Sequence, residues 1–256
     1  MKKKNNKKKS KGTLTVVLFL IVIVLAVNCV FMLVNVSQHI EPEVTDMPVA
    51  SEIEEGTQAT ENVQIEAVEA VDIDLGEGLV IRDIGSYAGI YMEDGTDEVV
   101  SGILMLMVTN NGEATVQYAE ISLTVGDRMA SFTMSTLPVG KSMILLEQSR
   151  MTYDKTADYT DASVKNLAFF PEEPGMCEDK IQIQSLDGAM NIQNISGNDI
   201  TGDIVVYYKN SSADMLYGGI TYRVRITGGL KAGEVRQIVS SHYSTSGSSI
   251  MFVTCG

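Results

Sequence analysis

Two histidines, His39 and His242, are the side chains of this chain whose ordinary pKa lies near neutrality, and neither stands in a catalytic motif. His242 lies in a polar loop of serine and glycine beside Tyr243 and Ser244. A Ser-His-Asp arrangement there would need a nucleophile elbow, Gly-x-Ser-x-Gly, and an orienting acid; the sequence offers neither, so His242 is read as a loop or strand-end residue packed on Tyr243. Carboxylates are too plentiful, at 33, for any one pair to signal acid–base chemistry. No catalytic residue is expected, and the chain is read as a non-enzyme.

Metal and redox chemistry are constrained in the same way. Asp154, Asp158 and Asp161 fall in one loop, and Asp72, Asp74 and Glu77 in another. Calcium would accept such hard oxygens, but no spaced loop of ligands with its glycine is present, and a solvated acidic loop is the expectation. Zinc lacks Cys and His ligands, so neither a metal nor a cofactor is expected. Of three cysteines, Cys29 falls in an apolar run, leaving Cys177 and Cys255 as a possible disulfide if this region meets an oxidising compartment; two free thiols are the alternative.

The placement of these residues is set by the amino terminus. Seven of the 19 basic residues are lysines within the first dozen positions, whereas every acid lies at or after Glu41. Removing those seven leaves 12 bases against 33 acids, about −21 for the rest of the chain, a surface that repels phosphate backbones. Nucleic acid is therefore not an expected partner. From Thr13 to Val36 there is no charge at all, and 24 helical residues would span roughly 36 Å, enough to cross a bilayer core of about 30 Å. A cleaved signal competes with an uncleaved signal anchor. The box Leu25-Ala26-Val27-Asn28-Cys29 lacks the small residue that should precede its cysteine, and the apolar run continues past it, which favours the anchor. Lysines are retained on the cytoplasmic side, so residues 1–12 form a tail at the inner leaflet and everything beyond 36 is extracytoplasmic: a single-pass cell-membrane protein. Residues 37–75 carry 11 acids and no Lys or Arg, and read as a disordered stalk that reaches about 35 Å as a flexible coil.

From Gly76 the texture changes to short β-branched and aromatic runs punctuated by Gly, Asn, Asp and Pro, which is the pattern of an all-β sandwich. Alternation assigns the faces: Ile121, Leu123 and Val125 point inward on one strand, and Ile220, Tyr222, Val224 and Ile226 on another. Gly102 to Val108 is apolar on both faces and reads as a central strand. An internal repeat pairs Asn110-Asn111, Tyr118 to Leu123 and Leu137-Pro138-Val139-Gly140 with Asn210-Ser211, Tyr217 to Tyr222 and Leu230-Lys231-Ala232-Gly233. The expected organisation is two tandem sandwiches, 76–172 and 173–256.

The residues Gly102, Leu104, Met107, Asn110 and Asn111, followed by an alternating strand and by Leu137 and Gly140 before a closing strand, resemble the FxLYD-type and related immunoglobulin-like modules of bacterial surface proteins. The resemblance covers the central half of each repeat. Gly126-Asp127 stands where those modules often carry a Tyr-Asp pair. What it implies is a sandwich fold on a bacterial envelope protein, not a chemistry. Two functions are compatible with it: a binding or scaffold module with a protein or cell-wall ligand, and a structural subunit of a membrane-spanning secretion, division or cell-wall assembly machine. Tyr87, Tyr91, Tyr153 and Tyr159 are candidate contacts because tyrosine favours interfaces, with core or rim positions as the competing reading.

Overall fold

The structure, a computed structural model, describes residues 64–213 and 215–256. The lysine tail, the 13–36 span and most of the expected stalk lie outside these residues. Among the described residues no helix is long and apolar enough to cross a membrane. The described part is all-β, with thirteen strands: β1 Gln64–Gly76, β2 Leu79–Ile90, β3 Val99–Asn110, β4 Val116–Val125, β5 Arg128–Leu137, β6 Ser142–Leu146 and β7 Tyr159–Phe169, then β8 Ile181–Leu186, β9 Ala189–Asn194, β10 Ile204–Ser212, β11 Met215–Ile226, β12 Val235–Val239 and β13 Ser248–Cys255.

β1 falls within the segment read from composition as disordered stalk, so that boundary is corrected here. Along its second half Asp72 and Asp74 are exposed while Val71, Ile73 and Leu75 pack on the core, and the strand is tied to β2 through pairs such as Ile73 with Ile81. Dense charge on the outer face concealed a period of two.

The strands form a seven-stranded sheet in the order β1-β2-β3-β6-β11-β10-β13 and two three-stranded sheets, β5-β4-β7 and β12-β9-β8. The same ladder occurs twice. β3 lies between β2 and β6 as β9 lies between β8 and β12, and β4 lies between β5 and β7 as β10 lies between β11 and β13. In the first half the β2-β3-β6 ladder enters the large sheet; in the second half it is the β11-β10-β13 ladder that does so.

Two buried asparagines mark the equivalence. The Asn110 amide donates to the carbonyls of Ala114 and Leu137 at 3.0 and 2.9 Å, and the Asn194 amide to those of Asn198 and Leu230 at 2.7 and 3.0 Å. Gly140 N–H donates to Asn110 O, and Gly233 N–H to Asn194 O. The repeat read from sequence is thus in register where Leu137 to Gly140 matches Leu230 to Gly233, but not at Asn110 or Tyr118. Asn110 matches Asn194, not Asn210, because Asn210 and Ser211 lie inside β10 rather than in a turn. Tyr118 belongs to β4, whose counterpart is β10, whereas Tyr217 belongs to β11.

Three apolar clusters fill the fold. Leu104, Leu106 and Val108 of β3 meet Ile121 and Leu123 of β4 and Phe132 of β5 in the first. Ile192, Ile204, Val206, Ile226 and Val253 belong to the second. The third joins Tyr87, Ile103, Met105, Ile144 and Leu146, so β3 is covered on both faces, as its unbroken apolar run indicates.

Candidate functional site: a polar joint between the two halves

The two halves of the large sheet meet along a short parallel pairing in which Met215, Leu216 and Tyr217 of β11 lie beside Ser142, Met143 and Ile144 of β6. Immediately beyond Tyr217 the β10–β11 ladder breaks. Tyr208 pairs with Tyr222 and Asn210 with Tyr217, so Gly218, Gly219, Ile220 and Thr221 bulge out opposite Lys209 alone. A bulge leaves backbone groups without ladder partners, and unsatisfied buried groups are costly.

Charged side chains supply the missing partners. Lys209 is fully buried, and its Nζ donates to Ile220 O at 2.7 Å, to Gly218 O at 2.9 Å and to Ser135 Oγ of β5 at 3.4 Å. Gly219 N–H donates to Glu93 Oε2 at 2.8 Å, and Leu146 N–H of β6 donates to Glu93 Oε1 at 3.0 Å. Ser135 Oγ also donates to Gly219 O and lies 3.0 Å from Thr221 Oγ1. One carboxylate therefore bridges β6 and β11, and one ammonium fastens the bulge to β5. Only glycine fits at position 219: a Cβ there would stand 2.5 Å from Thr133 O and 2.7 Å from Glu93 Oε2.

Burial pushes the Lys209 ammonium down to about 7, against the opposing pull of the Glu93 carboxylate. Burial likewise raises Glu93, while the Leu146 and Gly219 amides and the Lys209 charge hold it back. A lysine titrating near neutrality is a common catalytic device. Here its three donors already face three protein oxygens and none of its surface meets solvent, so the pair holds backbone rather than substrate.

A second layer fixes Glu93. Between β6 and β7 the chain loops outward at residues 147–151 and returns to pair Thr152 with Ile103. The buried Glu147 carboxylate fills this loop, accepting from Ser131 N–H, Ser149 Oγ and Met151 N–H at 3.2, 2.8 and 2.8 Å. Arg150 projects from it to Asp94 and Glu98, at 3.0 and 2.7 Å, and lies over the Tyr91 ring. The hairpin segment 91–98 is pinned there, and at its far end Asp97 lies 3.5 Å from His242 Nδ1 of the second half.

The residues singled out from sequence fall in several places. Tyr87 and Tyr91 are buried in the third apolar cluster, not contact surface: Tyr87 donates to Ile90 O, and Tyr91 to the carbonyls of Glu147 and Gln148. Tyr153 and Tyr159 are half-buried and stack on each other at 6.1 Å, with Tyr159 donating to Asp154 O. His242 stacks on Tyr222 at 5.1 Å rather than on Tyr243, which is buried and donates to Ser185 Oγ. Asp154 accepts from Thr156 in a local turn, Asp72 pairs with Arg82, and among the described residues no group of three or more His, Cys, Asp or Glu is placed to share a metal. Cys177 and Cys255 are both thiols and pack on the same apolar cluster.

Lys209, Glu93 and Glu147 escaped the sequence reading. The one available signal was the pair Gly218-Gly219 in mid-strand, which marks a bulge or a close backbone approach. The chain matches no family model, no curated protein and no solved structure.

Proposed function

We propose that this chain is a single-pass envelope protein whose β-rich part, held outside the cytoplasmic membrane, serves as a stiff binding or scaffold arm for a protein or cell-wall ligand. The arm would consist of two immunoglobulin-like sandwiches in tandem. The doubled ladder and the paired Asn110 and Asn194 turns support that reading. The observation that carries the scaffold role is the pairing of β6 with β11, which runs one sheet through both halves where a flexible linker would suffice for simple tethering. The anchor and its orientation rest on the lysines and the uncharged 13–36 stretch.

Protease accessibility tests the placement. Trypsin added to intact cells should remove the region after residue 76, at arginines such as Arg128 and Arg225, while leaving a cytoplasmic control protein whole. Protection of that region until the cells are lysed would overturn the topology and the function with it.

A further inference from the structure

The segment joining the halves, between β7 and β8, runs along the outer edge of β13. Phe170 meets Phe252 edge to face at 5.3 Å, Val253 N–H donates to Gly175 O at 2.9 Å, and Cys177 Sγ donates to Val253 O at 3.4 Å. Contacts advance in the same direction on both segments, which brings Cys177 alongside the end of β13, where Cys255 is its last residue. Both cysteines pack on the second apolar cluster, and burial, together with the neighbouring Cys177 side chain, pushes the Cys255 thiol up to about 12. Cys177 also adopts φ +52°, a left-handed conformation that glycine would take without strain. Its carbonyl accepts from both Lys180 and Ile181 N–H, which fixes the turn.

We propose that Cys177 and Cys255 are built to close a disulfide, formed by exchange with a dithiol–disulfide oxidoreductase, that clamps the connecting segment over the open edge of the seven-stranded sheet. Among the described residues β13 is an end strand of that sheet, and an uncovered edge is a template for unwanted pairing. The Cys177 thiolate attacks the donor's disulfide, forms a mixed disulfide and releases one donor thiol. The Cys255 thiolate then attacks Cys177 Sγ, forms the internal S–S bond and expels the second donor thiol. Two thiols of this chain lose two protons and two electrons, and the donor disulfide is reduced to a dithiol.

Closure in the cell rests on the extracytoplasmic reading above, but the pairing itself does not. The test uses the full chain carrying Cys29→Ser, purified in detergent, reduced, and exposed to oxidised glutathione; maleimide labelling then counts free thiols. Loss of both thiols in the monomer, with a peptide linking Cys177 to Cys255, is the expected result. In a Cys177→Ser companion Cys255 should remain labelled or carry glutathione. Two reactive thiols after oxidation, or bridging only between chains, would overturn the pairing. The same chain, blocked with maleimide as cells are opened, reports the compartment. Unreactive cysteines there support both readings, whereas free thiols in cells from a chain that closes in vitro would keep the pairing and sink the extracytoplasmic placement.

Discussion

Lys209→Met provides a direct test of the buried joint, read through pH rather than at one condition. In the unfolded chain a lysine keeps its proton to about 10.5, whereas the buried Lys209 releases it near 7. Between those values the unfolded state binds more protons than the folded one, so stability rises as pH rises, by at most about 1.4 kcal/mol per pH unit. Below pH 7 both states are protonated and the slope vanishes. Integrated from pH 7 to pH 10, the gain comes to about 3 kcal/mol. With a urea slope of about 2 kcal/mol/M for a region of this size, the midpoint of the native protein should move up by about 1 to 2 M. Methionine fills similar volume without titrating, so the variant should lack this rise. Taking the difference between the two proteins cancels groups that titrate in both, including Cys255, whose raised thiol pKa lowers stability above pH 9 while it remains a free thiol. Urea unfolding of the full chain in non-ionic detergent at pH 7, 8, 9 and 10 supplies the comparison. Parallel slopes for the two proteins would mean that Lys209 keeps its proton in the folded state and that the joint is wet rather than sealed.

Gly219→Ala should cost about 2 kcal/mol or more in the same assay, since its Cβ would collide with Thr133 and Glu93, whereas Gly175→Ala, which meets nothing within 4 Å, should stay within about 0.5 kcal/mol. Asn110→Ala and Asn194→Ala should destabilise to similar extents, about 2 to 4 kcal/mol each, because both strand buried carbonyls of a matching turn; very unequal losses would argue that the turns are not equivalent. Arg150→Ala should leave the urea midpoint nearly unchanged yet speed amide exchange across Asp94 to Glu98, because Arg150 is a solvent-facing clamp on that segment.

The strands were legible because alternation survives wherever one face meets water. Ile121, Leu123 and Val125 are buried as their spacing indicates, and so are Val224 and Ile226. Legibility failed where another effect outweighed the period. In β1 the acids between Val71, Ile73 and Leu75 imitate disorder, since composition counts charge without regard to face. Tyr87 and Tyr91 were weighed as contacts because tyrosine is amphipathic; only their packing with Ile103, Met105, Ile144 and Leu146 turns them into core. The repeat was found at Leu137 and Leu230 but misaligned at Asn210, since an asparagine inside a strand and one in a turn look alike without the ladder. Lys209 was invisible for a further reason. A single lysine in an apolar strand reads as a solvent-facing residue, and its partners are mostly backbone carbonyls, which carry no sequence signature.

A joint that buries an ammonium and a carboxylate needs its own explanation, because buried opposite charges are seldom more stabilising than apolar groups of the same volume. The pairing of β6 with β11 involves three residues on each strand, too few to fix its own register. A slip of one residue would turn Leu216 away from the first apolar cluster and put Met215 or Tyr217 in its place. Glu93 forbids that slip, because its two oxygens reach Leu146 N–H and Gly219 N–H together at one register only. The hypothesis follows that the charges secure the register of this pairing in addition to satisfying the bulge. In the double variant Glu93→Leu with Lys209→Met, the urea midpoint at pH 7 should fall, because the Leu146 and Gly219 amides and the Gly218 and Ile220 carbonyls lose their partners, and amide resonances along β6 and β11 should double or broaden. A variant that is strongly destabilised yet retains a single sharp set of resonances would show that the pair contributes energy instead of register.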